Sequence, residues 1–324
     1  AWGGGGTDTS SSDAYQLEGV VGEVGGDRLA SSTYQAWPGL LFTQMANVPG
    51  TPTVTASGTD YNKLLAIIDT QGNPSDAEYA IAISDDSFTT TEYVQSDNSV
   101  GATLGAEDWQ TYTDWGAGSG EFIVGLEVDT TYYVKVKARQ GAFTESPWSA
   151  ITTQATDQLT LTFDIDVDAA DTETATPYIL DFGTLSSSSV TTTTEKVWVD
   201  ISSNASGGGV IYVYSTNGGL YSDSTAHTIS AVSGNLSSAT EGFGLQSSTV
   251  DEASGGPLAA MAPYDGTSEV VGTVGSTPAE MYTTSSSPIV DGRGSFVAKA
   301  KVSGITPAAG DYADTLTVIA AGIF

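Results

Sequence analysis

The chain has 324 residues, enough for two ordinary domains with some length to spare. Its 39 acidic residues against 9 basic ones give a formal charge of −30, which phosphate backbones and anionic membranes repel, so the balance argues against nucleic-acid binding. The absence of cysteine removes disulfides, thiolate metal sites and cysteine nucleophiles, and no apolar run is long enough to span a bilayer as a helix.

Hydrophobic residues make up 39% of the chain, and Gly, Ser and Thr fill the shortfall. Small polar and β-branched residues favour pleated strands joined by tight turns, so an all-β fold is expected. The opening Ala1-Trp2-Gly3-Gly4 reads as a mature end left by cleavage after a small residue, which points to secretion. Residues 1–48 are expected to form an arm. Its Gly-rich start is a leash, and residues 11–21 and 31–41 each read as one strand. In the first, Tyr15, Leu17 and Val21 share a face. Two such strands cannot make a core alone and need another sheet to complete.

Residues 49–156 read as one domain. Leu64 to Ile68 is a buried type of run, closed by the turn Gln71-Gly72-Asn73-Pro74. Tyr79, Ile81 and Ile83 alternate with Ala80, Ala82 and Ser84. Tyr132, Val134, Val136 and Ala138 alternate with Tyr133, Lys135 and Lys137, the pattern of a strand with one wet face. The opening Pro49-Gly50-Thr51-Pro52, Leu126 followed by Asp129-Thr130-Thr131-Tyr132, and the closing Ser146-Pro147-Trp148-Ser149 resemble the fibronectin type III family. The resemblance implies a β-sandwich in which Tyr132 is the corner tyrosine, its hydroxyl bonded to backbone. Two departures stand out. The usual early-strand Trp is missing, with Ile67 or Ile68 in that region, and a long stretch from Thr89 to Gly120 carries Trp109 and Trp115.

Residues 157–324 read as a second β-domain, a sandwich or jelly roll. Leu159, Leu161 and Phe163 alternate with Thr160, Thr162 and Asp164. Further strands are expected at Lys196–Ile201, Val210–Tyr214, Phe296–Val302 and Asp314–Ile319. The stretch from Gly255 to Pro288 lacks periodicity and is expected to be a surface loop or projection. The ending Gly310-Asp311-Tyr312-Ala313-Asp314-Thr315-Leu316-Thr317-Val318, with Ile179-Leu180-Asp181-Phe182-Gly183-Thr184-Leu185 upstream, resembles pilin-like and spore-coat-U-like sandwiches. The cysteines often found in those families are absent.

Signals of chemistry are weak. His227, the one histidine, sits in a turn-to-strand passage without a nucleophile elbow, so no catalytic residue is assigned and the chain is not expected to be an enzyme. Asp164, Asp166 and Asp168 would share one strand face. They could hold Ca²⁺ if the chain curls, or be a solvated acidic face. Trp109 and Trp115 could stack on a sugar ring, or be core. Asn204-Ala205-Ser206 and Asn235-Leu236-Ser237 match the glycosylation sequon.

The expectation is thus two β-sandwich domains, fibronectin type III-like and pilin-like, with an N-terminal β-arm. The chain would be a subunit of an extracellular or cell-surface filament, needing no cofactor unless Ca²⁺ binds. Its partners would be other copies of itself, joined when Tyr15, Leu17 and Val21 enter a neighbour's sheet. The alternative is a monomeric surface adhesin or carbohydrate-binding module that contacts a surface polysaccharide.

Overall fold

In the computed structural model of the chain, residues 46–141 and 145–324 are described, together with the backbone of four short strands nearer the N-terminus. The chain divides into two compact units, Ala1–Ser57 with Asn62–Asp157, and Gly58–Tyr61 with Gln158–Phe324. Every strand ladder is antiparallel, and the described residues contain no α-helix, only a 3-10 turn at Ala117–Ser119.

The four N-terminal strands are β1 (Thr7–Ser12), β2 (Tyr15–Val20), β3 (Leu29–Ala30) and β4 (Gln35–Ala36). β1 pairs with β2 from Thr7↔Val20 to Ser12↔Tyr15, and β3 pairs with β4. Among the described residues each pair is a separate two-stranded sheet. The side chains of Tyr15 and Leu17, and all of Val21, lie outside the described residues.

The first unit places β5 (Thr53–Ala56), β6 (Leu64–Ile67) and β11 (Glu121–Ile123) in one sheet, ordered β11-β6-β5. The second sheet holds β7 (Glu78–Ser84), β8 (Glu92–Val94), β9 (Val100–Gly101), β12 (Thr131–Arg139) and β13 (Thr152–Ala155), ordered β13-β12-β7-β8-β9. The short β10 (Gln110–Thr111) also pairs with β7. Inward residues of both sheets, including Leu64, Ile81, Ile83, Val134 and Ile123, are fully buried. Each contributes roughly 1.5–3 kcal/mol of burial.

Three local findings explain this unit. The Tyr132 hydroxyl accepts the backbone N–H of Glu127 at 2.9 Å, the corner geometry that the sequence resemblance implies. Trp115, from the long insertion, fills the core and donates from its indole nitrogen to the Tyr79 carbonyl at 2.9 Å. The outer face of β12 is drier than expected, because aromatic rings lie along its cations. Lys135 sits 3.6 Å from the Phe88 ring centroid, Lys137 4.8 Å from Trp148, and Arg139 4.4 Å from Trp109. Across the ladder, Lys135 opposes Ala82 and Lys137 opposes Ala80, and both alanines are fully buried.

The second unit is a sandwich. Its first sheet comprises β14 (Leu161–Asp168), β15 (Thr191–Thr192), β16 (Lys196–Ser203), β21 (Gly242–Asp251), β22 (Ser254–Gly255) and β26 (Ile289–Lys301). The 13-residue β26 is its spine, pairing with β15, β16, β21 and β22, while β14 pairs with β16. The facing sheet is ordered β23 (Ala259–Ala260), β25 (Ala279–Thr283), β17 (Gly209–Ser215), β27 (Leu316–Gly322). Two small hairpin-like pairs cap the sandwich, β18 (Gly219–Ser222) with β19 (His227–Ser230) and β20 (Gly234–Asn235) with β24 (Val270–Val271).

The core joins Val199 and Ile201 to Ile211, Val213, Phe243, Met281, Tyr282 and Phe296. Gly294 is required here: a Cβ at that position would meet the Tyr282 ring at 3.0 Å. The expected projection from Gly255 to Pro288 is instead part of the fold. It contributes β25 and the fully buried Tyr264, Met281 and Tyr282, whose short pieces are too brief to show a period in sequence.

Candidate functional site

β14 and β27 are edge strands of the two facing sheets, and no ladder joins them. β14 pairs only with β16 and β27 only with β17 among the described residues. A cavity of about 840 Å³ runs between these edges. Ile165 and Val167 line one wall, Leu316 and Val318 the other, and Phe243 and Phe296 lie at the floor. The alternation read in Leu159, Leu161 and Phe163 continues in the strand to Ile165 and Val167, which line the cavity. However, Leu159, Leu161 and Phe163 are exposed rather than buried, at 43%, 39% and 36%. The expected core face is therefore exposed at this end and enters the core only at Ile165 and Val167.

The groove is not bare. Residues 175–190 cross it, and Leu180, Phe182 and Leu185 pack against the core, Phe182 meeting Phe243 edge-on at 6.2 Å between centroids. This segment forms no strand, and among the described residues it makes no backbone hydrogen bond to either sheet. Its flanks are tied. The Thr174 N–H and hydroxyl donate to the Asp166 carboxylate at 2.6 and 2.9 Å, and Thr191 and Thr192 pair with Ala300 and Lys299 of β26.

The phrase Gly310-Asp311-Tyr312-Ala313-Asp314 sets the lead-in to β27. Asp314 accepts from the Asn217 N–H at 3.0 Å, the Gly219 N–H at 3.2 Å, the Thr315 N–H at 2.7 Å and the Ser215 hydroxyl. Asp311 accepts from the Ser222 and Ser224 hydroxyls at 2.6 and 2.8 Å and the Ser224 N–H at 2.9 Å. The Ser222 bond and its neighbours hold the Asp311 carboxyl down to about 2. The Tyr312 hydroxyl donates to the Pro307 carbonyl at 2.9 Å. Tyr312, Pro307 and Thr306 also line the groove, so these aspartates shape its rim.

On the outer face of β14 the expected triad is rearranged. Asp164 and Asp166 are joined by Asp200, directly across the ladder from Asp164, with carboxylate oxygens within 4.8 Å of one another. Asp168 is not part of this group. It accepts from the Ala169 N–H and the Thr172 hydroxyl and closes its own loop, and those bonds, the Thr172 one first, pull its pKa down. The residue that completes the cluster sits 34 to 36 positions further on, beyond any local spacing. Glu173 lies near enough that Asp166, then Asp164, raise its pKa. The countercharge is Arg293, whose guanidinium grips both oxygens of Asp200 at 2.5 and 2.8 Å and Asp171 at 2.6 Å.

The remaining candidate residues are placed as follows. Trp115 is 1% and Trp109 7% exposed, so neither presents a ring face to a ligand; both rings are used in packing. The Asn204 amide donates to the Gln158 carbonyl at 2.6 Å and accepts from the Thr160 N–H at 2.8 Å. Asn235 is exposed at a turn, its oxygen accepting the Ser237 N–H. His227 bonds Glu241 at 3.0 Å, which in turn accepts from the Thr306 hydroxyl at the groove rim.

No protein-family profile and no curated protein matches the sequence. Solved structures give coarse likenesses. The chicken CNTN1 FN1–FN3 domains share 14% identity over 56% of this chain and 52% of theirs, with a TM-score of 0.24. An alpha-L-rhamnosidase from Dictyoglumus thermophilum shares 12% over 86% of this chain and 28% of its own, at 0.22. The CsuC-CsuE chaperone-tip adhesion subunit pre-assembly complex of Acinetobacter baumannii shares 12% over 85% and 99%, at 0.23. The chain thus spans about half of the first of these and less of the second. Scores at this level identify no family. Among the described residues no helix is long and apolar enough to cross a membrane.

Proposed function

We propose that the chain is a structural subunit of an extracellular filament, joined head to tail by β-strand donation. The N-terminal segment of one copy, with Tyr15, Leu17 and Val21 as anchors, would lie in the groove between β14 and β27 of the next. The observation that carries this reading is the groove itself: a channel of mixed lining, walled by Ile165, Val167, Leu316 and Val318, beside two edge strands that each have a strand partner on one side only among the described residues. A strand laid there would gain backbone bonds on both edges and seat alternate side chains on Ile165, Val167, Leu316 and Val318. Because donor and acceptor are different surfaces, the contact does not close on itself and propagates into a fibre. An arm of separate two-stranded hairpins is the kind of element that gains from such a sheet.

On this reading the first unit, a fibronectin type III-like module, decorates the fibre or packs laterally, and the second is a pilin-like sandwich. Deleting residues 1–25 is expected to give soluble, unpolymerised subunits under electron microscopy. Normal filaments after that deletion would refute the donor role. A monomer of the full chain at all concentrations would favour a surface adhesin instead.

A further inference from the structure

The segment that lies across the groove has an unusual balance of forces. It is tied at one end through Thr174 to Asp166 and at the other through Thr191 and Thr192 to β26. Between these ties its hold is by side chains alone. Leu180, Phe182 and Leu185 dip toward the core and are only half-buried, while Tyr178 and Ile179 are 39% and 64% exposed. Neither edge of the groove receives a backbone bond from it. Ser187–Ser189 are exposed before the second tie, and Gly183, at φ +59°, sits in a bend closed by the Asp181 carboxylate.

We propose that residues 175–190 are a built-in cover of the groove, seated by Leu180, Phe182 and Leu185, which the incoming strand of a second copy displaces. The proposal rests on reading the groove as a strand acceptor. The physical reason is an exchange that favours the newcomer. The cover shields apolar surface, so the free subunit does not expose a long sticky channel between two open edges. It pairs no backbone with β14 or β27, whose Val167 N–H is met only by the Thr174 hydroxyl oxygen at 3.0 Å, and a donated strand would add a backbone ladder while filling the same pockets. Since only the covered and uncovered forms differ in access, the apparent affinity for a donor is lowered by the fraction of chain that is uncovered. The tethers make the displacement reversible, because the cover swings aside without leaving.

The test uses the full-length chain and a synthetic peptide of residues 11–24. Binding is read by fluorescence anisotropy, and the cover by chymotrypsin cleavage within residues 178–185, followed by mass spectrometry of the chain. The expected result is that the peptide binds and cleavage at Tyr178 and Phe182 accelerates as the groove fills. The F182A variant, checked for unchanged circular dichroism, is expected to bind the peptide about tenfold more tightly, the ratio that ~1.4 kcal/mol of lost cover would produce. Binding with cleavage unchanged or slowed, or equal affinity in wild type and F182A, overturns the cover and leaves the acceptor groove standing. Binding to neither protein overturns the acceptor reading, and the cover with it. Binding only to F182A supports a cover that seats tightly.

Discussion

Arg293 holds both carboxylate oxygens of Asp200, its direct cross-strand partner, at 2.5 and 2.8 Å. A guanidinium fork thereby supplies, from within the chain, the positive charge that the Asp164–Asp166–Asp200 cluster needs. Substitution by Gln is expected to cost about 1 kcal/mol, the upper end for a partly exposed pair, and less at high salt. The same change frees Asp200 for an external cation. R293Q is therefore expected to gain a thermal shift with Ca²⁺, reversed by chelator, that exceeds any shift of the wild type. Equal responses of the two proteins would show that Arg293 does not occupy a cation's place.

The bonds on Asp311 set a pH dependence. In the folded chain this carboxyl titrates at about 2, below the ordinary value near ~3.9. A lowered carboxylate pKa contributes stability fully above the unfolded value, and the contribution is lost as pH falls through the folded one. D311N should be less stable than wild type at neutral pH, and the gap should close between about pH 4 and pH 2. Urea midpoints measured across that range decide it; a gap that persists at the acid end would point to packing rather than charge.

Trp115 ties the insertion to the first unit's core. Replacing it by Ala removes a fully buried indole and leaves the Tyr79 carbonyl without its donor. The expected loss is about 3–5 kcal/mol in chemical denaturation, with Phe recovering the packing but not the hydrogen bond. A loss below about 1 kcal/mol for Ala would mean that the insertion is not part of the folded core.

Val318 separates assembly from stability. It is half-exposed on the wall of the groove, so V318D should change subunit stability by only about 1 kcal/mol. A carboxylate in the acceptor channel should nevertheless abolish filaments seen by electron microscopy. Filaments of normal length and number from a folded V318D protein would place the contact elsewhere.

Much of the architecture was legible because strand faces repeat every two residues. The alternations over residues 79–84 and 132–138 and the strand expected at 196–201 each returned as a strand, the alternation over 159–164 did so only from Leu161 onward, and the Asp-x-x-Tyr phrase at Asp129 and Tyr132 returned as a corner. Regions without a period were misread. Tyr264 lies in a turn and Met281 in a strand of five residues, neither long enough to show a period, and the face of β12 that carries Lys135 and Lys137 is covered by rings from loops. The sugar-contact expectation at Trp109 and Trp115 had no way to distinguish a ring in the core from a ring at the surface.

The amino-acid order by itself determined that this chain makes strands, that many of them carry one apolar face, and that the net charge is strongly negative. Those properties depend on backbone geometry and on neighbours two residues apart. Tertiary structure alone decided which edges remain open and which carboxylates meet. Asp200 replaces Asp168 beside Asp164 because antiparallel pairing brings residues 36 positions apart face to face, and Ile165 lines a channel with Val318 because their strands are the edges of two facing sheets. Contacts of that kind are set by packing between whole sheets, and no short pattern in the chain encodes them.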